Sequence, residues 1–274
     1  YELPEGSRTS KGMNMINIVP LMTGEKITKI IPVTATEEQE DFIAMVTRKG
    51  IIKRTRLTEF KNTRKNGIIA ISIDDDDELA FVRMTDGSDY IFISTSLGYS
   101  IRFDENNVRA MGRTARGVKA INMREGDFVV DMAICKADDR ILTVTETGYG
   151  RISPVSDYRL QSRGGKGIIN YRTSKYGRVA ATVPVTDNDD VIMISSSGII
   201  IRIFAGDISE FARPSKGVRV MRVGEGEKIL SVALADHDDS QVNDTPEAAD
   251  ADAGTVTAED LAEDSEADIK ADEE

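Results

Sequence analysis

Five loops in this chain combine arginine or lysine with a closing glycine. SRTSKG ends at Gly12, NTRKNG at Gly67, GRTARG at Gly117, SRGGKG at Gly167 and ARPSKG at Gly217. These residue types recognise anions. An arginine fork donates paired hydrogen bonds to phosphate oxygens, lysine adds a compact charge, and glycine lets backbone N–H groups approach closely. One such loop alone reads as a turn with solvated charges. Five in register, spaced 55, 50, 50 and 50 residues apart, read as a periodic basic surface. A surface of that kind suits the phosphate backbone of duplex DNA bent along it. The candidate contacts are Arg8, Lys11, Arg64, Lys65, Arg113, Arg116, Lys119, Arg163, Lys166, Arg213, Lys216 and Arg219.

Other chemistries lack their residues. The single histidine, His237, falls in an acidic C-terminal stretch, so a Ser-His-Asp arrangement has no base. The single cysteine, Cys135, excludes a disulfide framework and a cysteine zinc site, and its apolar setting predicts a buried thiol. The Asp74–Asp77 run lacks the spacing of a calcium loop and reads as a solvated turn. Gly148-Tyr149-Gly150 and Gly224-Glu225-Gly226 are fragments of a dinucleotide fingerprint without the strand-to-helix context, and GGKG lacks the phosphate-loop spacing. No metal or cofactor site is expected in this chain.

The elements that must position the basic loops are short strands. A second signal runs in step with the first: TRKG ends at Gly50, TSLG at Gly98, TETG at Gly148 and SSSG at Gly198. Each follows an apolar β-rich run (FIAMV, YIFIS, ILTV, VIMIS) and precedes a strand carrying Arg54, Arg102, Arg151 or Arg202. This predicts a hairpin closed by glycine. After each basic loop comes an alternating strand, with Ile71 and Ile73, Ile121 and Met123, or Met221 and Val223 on one face. Acidic turns follow at 74–78, 124–127 and 224–227, then another apolar strand. Four strands per period of about 50 residues predict an all-β fold of propeller-like, four-stranded blades.

Charge divides the chain. Residues 236–274 hold 16 acidic residues and one basic residue, a net of −15. Residues 1–235 hold 34 basic and 31 acidic residues, a net of +3. The expected organisation is a mildly basic body, 1–235, and a disordered acidic tail, 236–274, with too little apolar area to offset chain entropy. No apolar run approaches the ~18 residues of a membrane span.

The body resembles the C-terminal domain of the A subunit of bacterial DNA gyrase. QSRGGKG (Gln161, Ser162, Arg163, Gly164, Gly165, Lys166, Gly167) is similar to that family's glutamine-arginine-glycine-lysine box, with Ser162 where a basic residue is usual. YELPEGSRTSKGMNMINIVPL, TEFKNTRKNGIIAISI, VRAMGRTARGVKAI and VTETGYGRISPVSDYRLQSRGGKG resemble successive segments of it. The resemblance implies a six-bladed β-pinwheel that wraps duplex DNA around its basic edge. It further implies a bacterial cytoplasmic enzyme with two partners for this chain, the remainder of the gyrase A polypeptide and the gyrase B polypeptide. ATP and Mg2+ would be used elsewhere in that enzyme, and the catalytic tyrosine would lie upstream. Of the family's 24 strands, about 18 are expected here. The family's principal box belongs to the first blade, before Tyr1, so 161–167 is expected to be a second, box-like copy. The last strands, near 217–223 and 228–234, are expected to lack partners and leave an open edge. Two rival readings are a topoisomerase IV C-terminal domain, which has fewer blades, and a propeller-type protein-binding scaffold.

Overall fold

Gly50, Gly98, Gly148 and Gly198 have φ of +80°, +81°, +86° and +83°. Glycine adopts this left-handed conformation without steric cost, and it turns each apolar run back on itself. The computed structural model describes residues 41–62, 64 and 67–237, and before these 7, 9, 11–14, 17–19, 21 and 24–31. The hairpins are β1 (Phe42–Thr47) with β2 (Ile51–Arg56), β4 (Tyr90–Thr95) with β5 (Tyr99–Asp104), β8 (Arg140–Thr145) with β9 (Tyr149–Pro154), and β12 (Asp189–Ser195) with β13 (Ile200–Phe204). Against the first strand of each lies an inner strand: β3 (Leu79–Thr85), β7 (Val129–Cys135), β11 (Val179–Val185) and β15 (Ile229–Asp236).

The remaining strands cross between blades. β6 (Val118–Lys119) pairs with β2, β10 (Ile168–Ile169) with β5, and β14 (Val218–Arg219) with β9. Each is the residue pair directly after a basic loop. The periods of the last three blades therefore each give three strands to their own blade and one to the blade before it. The resulting sheets are β3-β1-β2-β6 (blade I), β10-β5-β4-β7 (blade II), β11-β8-β9-β14 (blade III) and the three-stranded β13-β12-β15 (blade IV).

The apolar cores lie between sheets. Val46, Ile52, Ile91, Ile93, Ile101, Phe103 and Met132 pack blade I against blade II. Phe92, Cys135, Ile141, Val155 and Tyr158 join blades II and III. Leu142, Val144, Val191, Met193 and Ile229 join blades III and IV. Fully burying one such side chain contributes about 1.5–3 kcal/mol, so neighbouring blades hold each other in place. Cys135 is buried as expected, and burial pushes its thiol up to about 12.

Fifteen strands lie among the described residues, whereas the expected count of about 18 also covers residues outside them. Two expectations are corrected. Segment 68–73, expected to be a strand, has no sheet partner among the described residues, and Ile69 and Ile73 are exposed. The open edge also lies elsewhere: residues 218–219 pair with β9 and β15 pairs with β12, whereas the second edge of β13 has no strand partner among the described residues and Ile200 is 63% exposed. The final strand runs to Asp236. His237, assigned above to the tail, packs its ring 4.2 Å from that of Phe204, with Nδ1 2.7 Å from Asp190 Oδ1. Residues 238–274 lie outside the described residues.

Candidate nucleic-acid interface

The basic loops that end at Gly117, Gly167 and Gly217 lead into the outermost strand of the preceding blade, and the approach is tight. A Cβ on Gly117 would lie 2.5 Å from Ile52 O, on Gly167 2.7 Å from Ser100 O, and on Gly217 2.2 Å from Gly150 O. Backbone contact with β2, β5 and β9 is what these three positions require. In the box-like loop, Gly164 N–H donates to Ala120 O at 2.6 Å, and Gly165 O accepts from Asn122 N–H at 2.8 Å. The loop sequence suggested glycines open to phosphate; the structure uses them to close blades.

The basic residues divide by position. Arginines four before the glycine act as staples. Arg163 Nε donates to Asn107 O at 3.0 Å and its Nη1 to Lys119 O at 3.4 Å. Arg213 repeats this one blade later, from Nε to Asp157 O at 2.9 Å and from Nη1 to Ile169 O at 3.2 Å. Arg113 is half-buried, and its carbonyl accepts from Lys53 Nζ. Gln161 joins the same framework, its N–H donating to Arg102 O at 2.9 Å, while Ser162 is exposed.

The cations beside the glycine face outward. Arg116, Lys166 and Lys216, one before it, are exposed, as are Lys119 and Arg219, two after it. Arg116 makes an exposed ion pair with Asp74. Arg219 Nη2 donates to Tyr149 Oη at 2.9 Å, and Lys216 Nζ sits 5.2 Å from the Tyr149 ring centre. Lys11 and Arg64 are exposed; Arg8 and Lys65 lie outside the described residues. The structure thus places Lys119, Arg116, Lys166, Lys216 and Arg219 on the outer strands of successive blades and the turns leading into them, holds half-buried Arg213 against the neighbouring segment, and leaves Arg163 exposed while tying its guanidinium to two carbonyls.

Sequence reasoning missed two buried cations. Lys53 and Arg151 both stand three residues after a hairpin glycine, where blades II and IV have Ile101 and Ile201. Lys53 Nζ donates to Ala70 O at 2.5 Å as well as to Arg113 O. Desolvation, helped by the Arg113 charge, lowers its pKa to about 8. Arg151 is fully buried; it donates to Ser153 Oγ at 2.9 Å, Ser215 O at 3.1 Å and Asn170 O at 2.5 Å. Both cations anchor the following basic loop from beneath. The four-residue offset carries a related job: Arg54 pairs with buried Glu105 at 2.6 Å, and Arg102 donates to Val155 O at 2.9 Å. The only sequence signal for these roles was a cation in an otherwise apolar strand position.

The acidic turns are more than solvated. Asp77 Oδ1 accepts from Lys49 N–H at 3.0 Å, and Asp127 Oδ1 from Leu97 N–H and Ser96 Oγ at 2.9 Å. They cap the hairpin tips of blades I and II.

Strand exchange, arginines tied to neighbouring carbonyls and an outward cation series recur with one period, and that period is matched by a family model. The model for the DNA gyrase C-terminal domain, beta-propeller, matches residues 1–34, 41–86, 89–136, 139–186 and 189–236. The chain belongs to the DNA gyrase C-terminal domain family. Among curated relatives, the A subunit of DNA gyrase from Staphylococcus epidermidis is 44% identical over 242 residues, covering 87% of this chain and 27% of the relative. Its counterpart in Staphylococcus aureus strain MRSA252 is 41% identical over 258 residues, covering 93% and 29%. The chain therefore spans little more than a quarter of the relatives it matches. Two solved structures share the fold. The C-terminal domain of DNA topoisomerase IV superposes with a TM-score of 0.76 at 29% identity, over 82% of this chain and 71% of that one. The DNA gyrase A C-terminal domain superposes with a TM-score of 0.72 at 25% identity, over 82% and 75%. The expected all-β pinwheel and the family resemblance both hold, and the curated relatives favour gyrase over the topoisomerase IV alternative.

Proposed function

We propose that this chain binds duplex DNA through backbone phosphates along the outer strands of its blades and wraps it, as a non-catalytic part of DNA gyrase. The observation that carries this reading is the recurrence of Arg116 with Lys119, Lys166, and Lys216 with Arg219, all exposed, on successive blade edges. Each position is fixed by a strand locked to its neighbour, so a bent duplex meets charge at regular intervals without a recognition helix. Sequence preference is then weak. The catalytic tyrosine, the use of ATP and Mg2+, and the junctions with the remainder of the gyrase A polypeptide and with the gyrase B polypeptide belong to other parts of the enzyme, which acts in the bacterial cytoplasm.

Duplex binding by the full chain across a salt series tests this. The log–log slope should be steep, with about 0.9 lost per phosphate contact removed. Arg116→Ala with Lys119→Ala, and Lys216→Ala with Arg219→Ala, should each weaken binding by about 1–3 kcal/mol and flatten the slope. A flat salt dependence in the unsubstituted chain, or one pair abolishing binding while the other does nothing, overturns the reading.

A further inference from the structure

Where blades I and II meet, an open cleft of about 340 Å³ is lined by Lys49, Lys119, Ile121, Asn122, Met123, Arg124 and Asp127. Three cations and a side-chain amide converge there from three segments. Lys49 comes from the hairpin tip between β1 and β2, Lys119 from the exchanged strand β6, and Asn122 and Arg124 from the segment leaving that strand.

The cleft is built tightly. A Cβ on Gly50 would lie 3.0 Å from Ile121 Cγ2 and 3.2 Å from Met123 Sδ, so the tip rests directly on the apolar wall and brings Lys49 to the rim. Arg124 is oriented from two sides. Its guanidinium carbon lies 3.2 Å from the centre of the Tyr99 ring, and Nη1 donates to Lys166 O at 3.1 Å. A guanidinium stacked in this way keeps its other edge available for an anion. The one carboxylate in the wall is already engaged. Asp127 Oδ1 accepts from Ser96 Oγ, Leu97 N–H and Phe128 N–H, each at 2.9 Å. Lys49 pairs with Asp76, but both partners are more than half exposed, and such pairs exchange readily for a stronger anion.

The corresponding positions in the other blades are different. The hairpin tips carry Leu97, Thr147 and Ser197 in place of Lys49, and at the position of Lys119 the exchanged strand of blade II carries Ile169 and that of blade III Arg219. A repeat that only needed a tip could use any of these residues, so Lys49 beside Lys119 and Arg124 marks added chemistry at blade I.

We infer that this cleft seats one backbone phosphate of duplex DNA, off the outer strands and toward the hairpin tips. The inference rests on the proposed DNA-binding function and adds a defined contact to it. The bound duplex then crosses the blade I edge obliquely, reaching Lys49 as well as Lys119.

The test uses the full chain with a linear duplex, and with inorganic phosphate as a separate probe. Lys49→Ala with Arg124→Gln should lower the log–log salt slope by about one and weaken duplex binding several-fold at low salt. Arg124→Lys with native Lys49 controls for folding and should retain most of the slope. The Asn122 side-chain amide resonance should shift on adding duplex, and far less with phosphate at the same concentration; in the double variant it should not shift. The seat is overturned if the double variant keeps the full slope while the Lys216→Ala, Arg219→Ala pair reduces it. It is also overturned if phosphate shifts Asn122 as strongly as duplex does, which marks a free-anion pocket. A flat salt slope in the unsubstituted chain removes the DNA-binding reading together with the seat.

Discussion

Blades III and IV start from nearly the same hairpin and finish differently. In blade III the second strand, β9, is covered by β14 and is almost entirely buried; in blade IV the corresponding β13 is half exposed along its length. The hairpin glycines have matching φ, +86° at Gly148 and +83° at Gly198. Their surroundings do not match. A Cβ on Gly148 would sit 2.0 Å from Met221 O, whereas one on Gly198 meets nothing within 4 Å. The hairpin is thus a local product, while the finished blade depends on the next repeat reaching back.

This contrast gives a largest expected effect. Gly148→Ala should destabilise by about 3–5 kcal/mol, because the methyl group must displace the backbone that carries the exchanged strand. Gly198→Ala should cost only about 1 kcal/mol, the penalty of a left-handed alanine. Urea denaturation of the two variants measures the difference, and equal losses would break the distinction between the closed and the open blade.

A second test concerns what holds the exchanged strand down. Arg151 occupies the position that is Ile201 in blade IV. Arg151→Ile makes blade III imitate blade IV and leaves the carbonyls of Ser215 and Asn170 without their donor. A loss of about 2–4 kcal/mol is expected, with faster amide exchange in 217–220 than in the parent. Unchanged exchange there would show that the arginine fills space and does not anchor the loop.

The smallest effect is electrostatic and tests the inner strands. Asp131 on β7 is flanked from both sides: it accepts from Arg83 Nη2 of β3 at 3.2 Å and from Thr182 N–H of β11 at 3.4 Å. Its counterpart on β15, Ser231, is exposed. Burial raises the Asp131 pKa to about 6, with the Arg83 charge, the Met132 and Thr182 N–H groups and the Lys29 charge opposing the rise. The folded carboxyl therefore holds a proton up to about pH 6, and the unfolded one only near the ordinary value of 3.8. Between those values the folded state binds more protons, so this site adds stability as pH falls from 7 toward 4 and withdraws it as pH rises. Asp131→Asn should remove that component, on the order of 1–3 kcal/mol between pH 7 and pH 4. A variant with the same pH profile as its parent would show that Asp131 is not the group responsible.

Much of this architecture was legible. The 50-residue spacing, the hairpin glycines and the apolar runs from Phe42, Tyr90, Ile141 and Val191 correspond to observed turns and strands. These are local signals: left-handed backbone selects glycine, and a half-buried pleat selects β-branched and aromatic residues. The outward cations were also visible as a class. Their sorting was not, since Arg163 and Lys166 stand three residues apart in one loop and are both exposed, yet the Arg163 guanidinium is tied to the carbonyls of Asn107 and Lys119, which nothing in the loop sequence marks.

By itself, then, the sequence determined the repeat, the hairpin within each period and the basic character of the loops, because each depends on residues close together in the chain. Tertiary structure decided which blade each fourth strand joins, why Gly117, Gly167 and Gly217 must be glycine, and which edge stays open. It also decided that Lys53 and Arg151 are buried anchors. These features depend on carbonyl groups 60 to 67 residues away, brought within hydrogen-bonding or van der Waals distance only when one repeat packs on the next.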